Sequence, residues 1–333
     1  GITLSGNVTT TGSQTYNGAT TLAATPITLT TTNSDVSFGG TLNGNAASRA
    51  LTIAAGTGNV TFTGAVGGGT ALGAVAITAA TTTNSSTWVG SSTLGITGNA
   101  VINGAISGIT TLTVSGTTSL GANVTSSGNQ TYSGAVTITG SAVTLNSSSG
   151  NGTVLFSNTV NSAANGDNSA SATKPLTVTT GSGNVTFTGI VGGATNGALG
   201  ALTINSSGTT TLSAAVTAAS VTTDSGGTTA INGGAITTTG AQTYNDAVTL
   251  GAATTLTSSS SGNINLASTV NGAQALTINT AGTTTFGGIV GGTTALTSIT
   301  TDAAGSVAIN GGAITTTGAQ TYNEGVTLGA VTT

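Results

Sequence analysis

Apolar residues in this chain fall in short triplets with threonine in the middle. Leu51-Thr52-Ile53, Val60-Thr61-Phe62, Leu176-Thr177-Val178, Val185-Thr186-Phe187 and Leu276-Thr277-Ile278 each place two apolar side chains at i and i+2. That is period-two alternation, the pattern of a strand with one face in and one face out. No apolar stripe of period 3.6 persists, so almost no helix is expected. Glycine turns separate the triplets.

The triplets recur in a fixed order. Leu51-Thr52-Ile53, Val60-Thr61-Phe62 and Val66-Gly67-Gly68 return at identical spacing as Leu176-Thr177-Val178, Val185-Thr186-Phe187 and Val191-Gly192-Gly193. They return again, one residue shorter, as Leu276-Thr277-Ile278, Thr284-Thr285-Phe286 and Val290-Gly291-Gly292. A longer phrase, AINGGAITTTGAQTYNDAVTLGA from Ala230, is nearly repeated from Ala308, 78 residues on. Gln-Thr-Tyr stands at Gln14, Gln130, Gln242 and Gln320. Such self-similarity signals a stacked-repeat architecture.

A unit of about 20 residues with several short strands matches one rung of a parallel β-helix, and roughly 21 residues per rung gives about 16 rungs. The expected fold is all-β, a single β-solenoid domain over residues 1–333. The phrase near Gly6 returns near Gly312, so an interior segment of a longer chain or fibre is expected. Equal spacing predicts that Phe62, Phe187 and Phe286 fill equivalent places in the interior. Tyr16, Tyr132, Tyr244 and Tyr322 are expected to pack at rung corners rather than form an outward row that grips sugars.

Composition narrows the function classes. Six acids and two bases leave a formal charge of −4, and 2% of residues are charged, against about one-quarter in ordinary domains. Two bases cannot neutralise phosphates, so nucleic acid and anionic membrane are poor partners. No run approaches the roughly 18 apolar residues of a membrane helix. Without His or Cys there is no imidazole base, thiolate or soft metal site. The acids are scattered, whereas polysaccharide-cleaving β-helices need them clustered. No catalytic, cofactor or metal residue is therefore assigned.

Two carboxylate pairs qualify that picture. Asp224 and Asp246 stand 22 residues apart, about one rung, and so do Asp302 and Glu324. Sharing a corner, each pair offers a cation too few of the about six to eight oxygens that calcium takes. The remaining candidates are surface contacts: Arg49 and Lys174, which read first as solvated turn residues, and the sole Trp88, which reads first as core cover beneath a loop. Segments 39–51 and 158–176 have unequal lengths at one template position and are expected to project as lateral loops on one side.

The rungs ALTINTAGTTTFGGIVGG and GAQTYNDAVTLGA resemble the repeats of filamentous-haemagglutinin-like bacterial exoproteins and related autotransporter passengers. The resemblance covers the whole chain and rests on degenerate Gly/Thr/Ala repeats. It implies a right-handed parallel β-helix, export to the cell surface, and a role as adhesin or fibre. The expected partners are the chain itself, end to end or side by side, and glycans or a neighbouring cell surface. The rival reading is a binding module whose flat Thr array recognises ice or a crystalline glycan. An enzyme ranks third.

Overall fold

The alternation dictates the architecture. In the computed structural model, which describes residues 1–163 and 173–331, the apolar triplets are strands whose odd positions are buried and whose central residue faces outward. The strands pair parallel and stack as a β-solenoid with about 21 residues per turn and about 15 turns. Among the described residues the one helical element is the 3-10 turn Ser148–Gly150. The chain divides into two compact units, Gly1–Asn158 and Thr159–Thr333.

In the first unit one ladder shows the logic. Gln14–Tyr16, Val36–Phe38 and Val60–Phe62 lie in register, Tyr16 on Phe38 on Phe62. The same inward position continues through Asn84, Ile102, Leu120 and Ile138. Tyr16 and Phe38 stack with ring centroids 5.0 Å apart, Phe38 and Phe62 at 5.2 Å, and Trp88 meets Phe62 edge-on at 5.1 Å. Each fully buried ring or aliphatic chain contributes about 1.5–3 kcal/mol through the area it removes from water. Backbone N–H and C=O groups are satisfied by the turns on either side, so the core needs only to be narrow and continuous.

Corners explain the glycines. The chain doubles back over itself at Gly18, Gly40 and Gly64, and a Cβ on Gly64 would run into the carbonyl of Gly40. In the second unit Ile190 and Ile289 fold over Gly193 and Gly292, whose missing Cβ leaves the space.

Three ladders run through the second unit. One joins Leu176–Gly181, Leu199–Ser206, Val216–Thr223, Gln242–Tyr244, Ile264–Leu266 and Thr283–Phe286. A second joins Val185–Phe187, Thr209–Leu212, Thr228–Ile231 and Ala247–Leu250. A third joins Ala235–Thr238, Thr254–Ser258, Ala275–Thr280, Ser298–Thr301 and Gln320–Tyr322. Phe62, Phe187 and Phe286 are all buried, at 0%, 1% and 0% exposure. The expected equivalence nevertheless fails within this unit. Phe187 lies in the second ladder, beside Leu212, and Phe286 in the first, beside Leu266 and Ile309. The template spacing is not a whole number of turns, and the faces share one strand grammar, so the same phrase serves on different faces.

Candidate functional site

The most repeated polar motif points into the molecule. Gln242 is 0% exposed. Its Nε2 donates to the Ile236 carbonyl at 3.2 Å, to Thr238 Oγ1 at 3.3 Å and to the Thr257 carbonyl of the next turn at 2.9 Å. Its Oε1 accepts the Tyr244 hydroxyl at 2.9 Å. Gln130 repeats this with Val124, Ser126, Asn146 and Tyr132, and Gln14 with Val8, Thr10, Thr30 and Tyr16. The Thr or Ser that accepts from Gln donates its own proton to the glycine carbonyl two residues on: Thr10 to Gly12, Ser126 to Gly128, Thr238 to Gly240. Burial pushes the Tyr132 and Tyr244 hydroxyls above their ordinary titration range, which keeps them neutral donors.

The motif is thus seven residues long, Ser/Thr-x-Gly-x-Gln-x-Tyr, and it closes a corner and ties it to the adjoining turn. Tyr16, Tyr132 and Tyr244 belong to the interior rather than to a rung corner, because their hydroxyls find a buried acceptor two residues back, whereas Tyr322 is half-buried and its acceptor Gln320 is exposed. The signal was present in the sequence: all four copies place Ser or Thr four residues, and Gly two residues, before Gln.

Asparagines do a related job at other corners. Asn7, Asn123 and Asn184 each accept, through Oδ1, a backbone N–H from the neighbouring turn at 2.8 Å, from Thr28, Thr144 and Thr209. These Asn-Val-Thr side chains are occupied in holding the stack.

What remains outward is threonine. Thr177, Thr203, Thr222 and Thr243 stand in register on four successive turns, followed by Asn265, Thr285, Ala308 and Thr327. In the first unit another outward file reads Thr15, Ser37, Thr61, Thr83, Val101, Ser119 and Thr137. Several strands of these files carry a second outward residue beside the file: Thr179 beside Thr177, Asn205 beside Thr203 and Thr283 beside Thr285.

The carboxylate pairs are brought together. Asp246 is 1% exposed, accepts the Gly227 N–H at 2.9 Å through Oδ1 and the Thr229 hydroxyl at 3.0 Å through Oδ2. Burial raises its pKa, those hydrogen bonds oppose the rise, and the neighbouring Asp224 adds to it. Asp224 itself caps the Ser206 N–H at 2.7 Å, and Asp302 caps Thr280 at 3.2 Å. Glu324 is likewise raised, first by burial, with Asp302 adding to the rise. Asp224, Asp246 and Asp302 serve the backbone of adjacent turns, and among the described residues no group of three or more potential metal ligands forms.

The proposed surface contacts fare differently. Trp88 is 1% exposed and its Nε1 donates to Ser91 Oγ at 3.0 Å, so it is a core residue and not a surface contact. Arg49 is half-buried at the start of a strand, and its Nε donates to Asn45 Oδ1 at 2.8 Å. Lys174 is half-buried, with its backbone N–H on Ser162 Oγ at 3.1 Å. Segment 39–51 is not a bare loop. Leu42–Gly44 is a strand and Leu42 is fully buried, which anchors the segment and leaves 39–41 and 45–48 outside the ladders. Of the second expected loop, 158–176, Val160–Ser162 is a strand with Val160 fully buried, and residues 164–172 lie outside the described residues.

Comparisons of the chain with protein-family models, curated proteins and solved structures gave no match.

Proposed function

We propose that the chain is a structural segment of a secreted bacterial surface protein, an adhesin or extracellular filament. The observation that carries this reading is the fate of the repeated motif. Gln14, Gln130 and Gln242 use their polar atoms within the corner and across to the next turn. Selection for a ligand would keep the recurring groups outward, whereas selection for a stack turns them inward. The faces left over are neutral and hydroxyl-rich, which suits side-by-side packing and contact with glycans or a neighbouring cell.

The Thr file from Thr177 to Thr243 favours a second reading, a module that binds ice or a crystalline glycan. The breaks at Asn265 and Ala308 count against a flat array. Antibody labelling of intact cells, paired with thermal hysteresis of the purified chain, separates the two. Surface label with no hysteresis supports the structural reading. Hysteresis lost on replacing Thr203 and Thr222 by alanine supports the second.

A further inference from the structure

The eight Asn-Gly pairs among the described residues are chemically alike but not structurally alike. An Asn-Gly pair can cyclise without any catalyst, because glycine lacks the Cβ that would hinder approach of its amide nitrogen to the asparagine side chain. In seven pairs that nitrogen already donates a hydrogen bond. Gly44 N–H binds the Thr70 carbonyl, Gly104 that of Asn84, Gly152 that of Ser147 and Gly197 that of Ala194. Gly233 binds Leu212, Gly272 binds Thr294 and Gly311 binds Phe286, at 3.0, 3.2 and 3.1 Å. Gly18 N–H makes no such bond, and Asn17 is exposed.

This freedom belongs to the turn type. The turn 16–20 runs aromatic-x-Gly-x-apolar or Thr, and turns 38–42, 62–66 and 132–136 follow the same course. In those turns too the amides of Gly40, Gly64 and Gly134 have no backbone acceptor, although a preceding turn lies against them. Turn 102–106 begins with Ile102 rather than an aromatic residue, and there the Gly104 N–H donates to the Asn84 carbonyl at 3.1 Å while Asn84 Nδ2 donates to the Gly104 carbonyl at 2.9 Å. Of the unbonded turns among the described residues, only 16–20 places Asn before its glycine.

We propose that Asn17-Gly18 is a self-modification site, at which the folded chain converts asparagine to aspartate and isoaspartate. Hydroxide removes the Gly18 amide proton, and the nitrogen attacks Asn17 Cγ. A C–N bond forms to the backbone, the bond to the side-chain nitrogen breaks, and ammonia leaves. Water then adds to either carbonyl of the five-membered imide and opens it. One water is consumed, one ammonia is released, and no oxidant or reductant is needed. The product makes the chain one unit more acidic than its formal −4. Its isoaspartyl form lengthens the backbone of the turn between strands Gln14–Tyr16 and Thr20–Leu22.

The test is incubation of the folded chain at mildly alkaline pH, followed by peptide mapping and enzymatic isoaspartate methylation. The same chain in denaturant is run in parallel. In the folded protein the Asn17 peptide should convert roughly tenfold faster than the other seven, whose bonded amides must first open. In denaturant the eight should converge. Asn17→Gln, checked by circular dichroism for an intact fold, should remove the early acidic species that peptide mapping assigns to Asn17. Equal rates in the folded chain overturn the proposal. So does earlier conversion at a bonded pair, or a silent Asn17 beside reactive sites in denaturant.

Discussion

Gln242 offers the most exacting test of how the turns are joined. Gln242→Leu keeps the side chain's bulk and removes its four hydrogen bonds. The Tyr244 hydroxyl then loses its acceptor, and the Ile236 and Thr257 carbonyls, both in paired strands, lose a second donor. The orphaned hydroxyl costs about 1–3 kcal/mol and each other lost bond about 0.5–1.5 kcal/mol, so the substitution should destabilise this region by about 2–6 kcal/mol. Tyr244→Phe removes only the hydroxyl and leaves Gln242 Oε1 unpaired, for about 1–2 kcal/mol. Because both changes strike one bond, the double variant should cost less than the sum, with a coupling of about 0.5–3 kcal/mol. A stacked-repeat protein need not unfold in one step. The readout is therefore hydrogen exchange in Val216–Thr223, Gln242–Tyr244 and Ile264–Leu266, the strands stacked around the site. Loss of protection confined to these strands and their neighbours supports the reasoning. A Gln242→Leu variant within 0.5 kcal/mol of the parent, or strictly additive double-variant costs, would refute it.

Three further outcomes follow from the same structure. Thr284 is buried with an unpartnered hydroxyl between Ile264 and Val307, so Thr284→Val should stabilise by about 1–2 kcal/mol in a denaturant titration, and destabilisation would show that the hydroxyl is in use. Phe286→Ala should cost about 3–5 kcal/mol, read as lost exchange protection in strands Ile264–Leu266 and Ser306–Ile309, whereas a neutral result would contradict the packed core. Asp246 has its pKa raised on folding, so its contribution is full below the ordinary carboxylate range and is lost as pH rises through the raised value. Acidification from neutral pH should therefore raise the melting temperature, Asp246→Asn should flatten that dependence, and acid destabilisation unchanged by the variant would count against it.

Strand placement was legible because alternation is local. Leu51-Thr52-Ile53 or Val185-Thr186-Phe187 carries its inward and outward assignment within three residues, and the ladders show the same. Cross-sectional position was not legible. Turn lengths vary with each corner: matching positions advance by 18 residues from Ala100 to Thr118 and by 24 from Val36 to Val60. The sum of such corners decides which face receives Phe187 or Phe286. Leu42 was hidden for a different reason. Flanked by Gly39, Gly40, Asn43 and Gly44, it sits in loop-like composition, and only the stack above and below makes it core. The Gln corner was visible as a repeat but not as a role. A glutamine that satisfies carbonyls on two turns looks, in one dimension, like any polar residue beside a strand.

The measurement that bears most directly on the structural role is cryo-electron microscopy of the native assembly that contains this chain. The account predicts filaments in which strands lie across the axis and turns repeat every ~4.8 Å along it. Discrete particles of fixed size without that axial repeat, isolated from the native source, would contradict it.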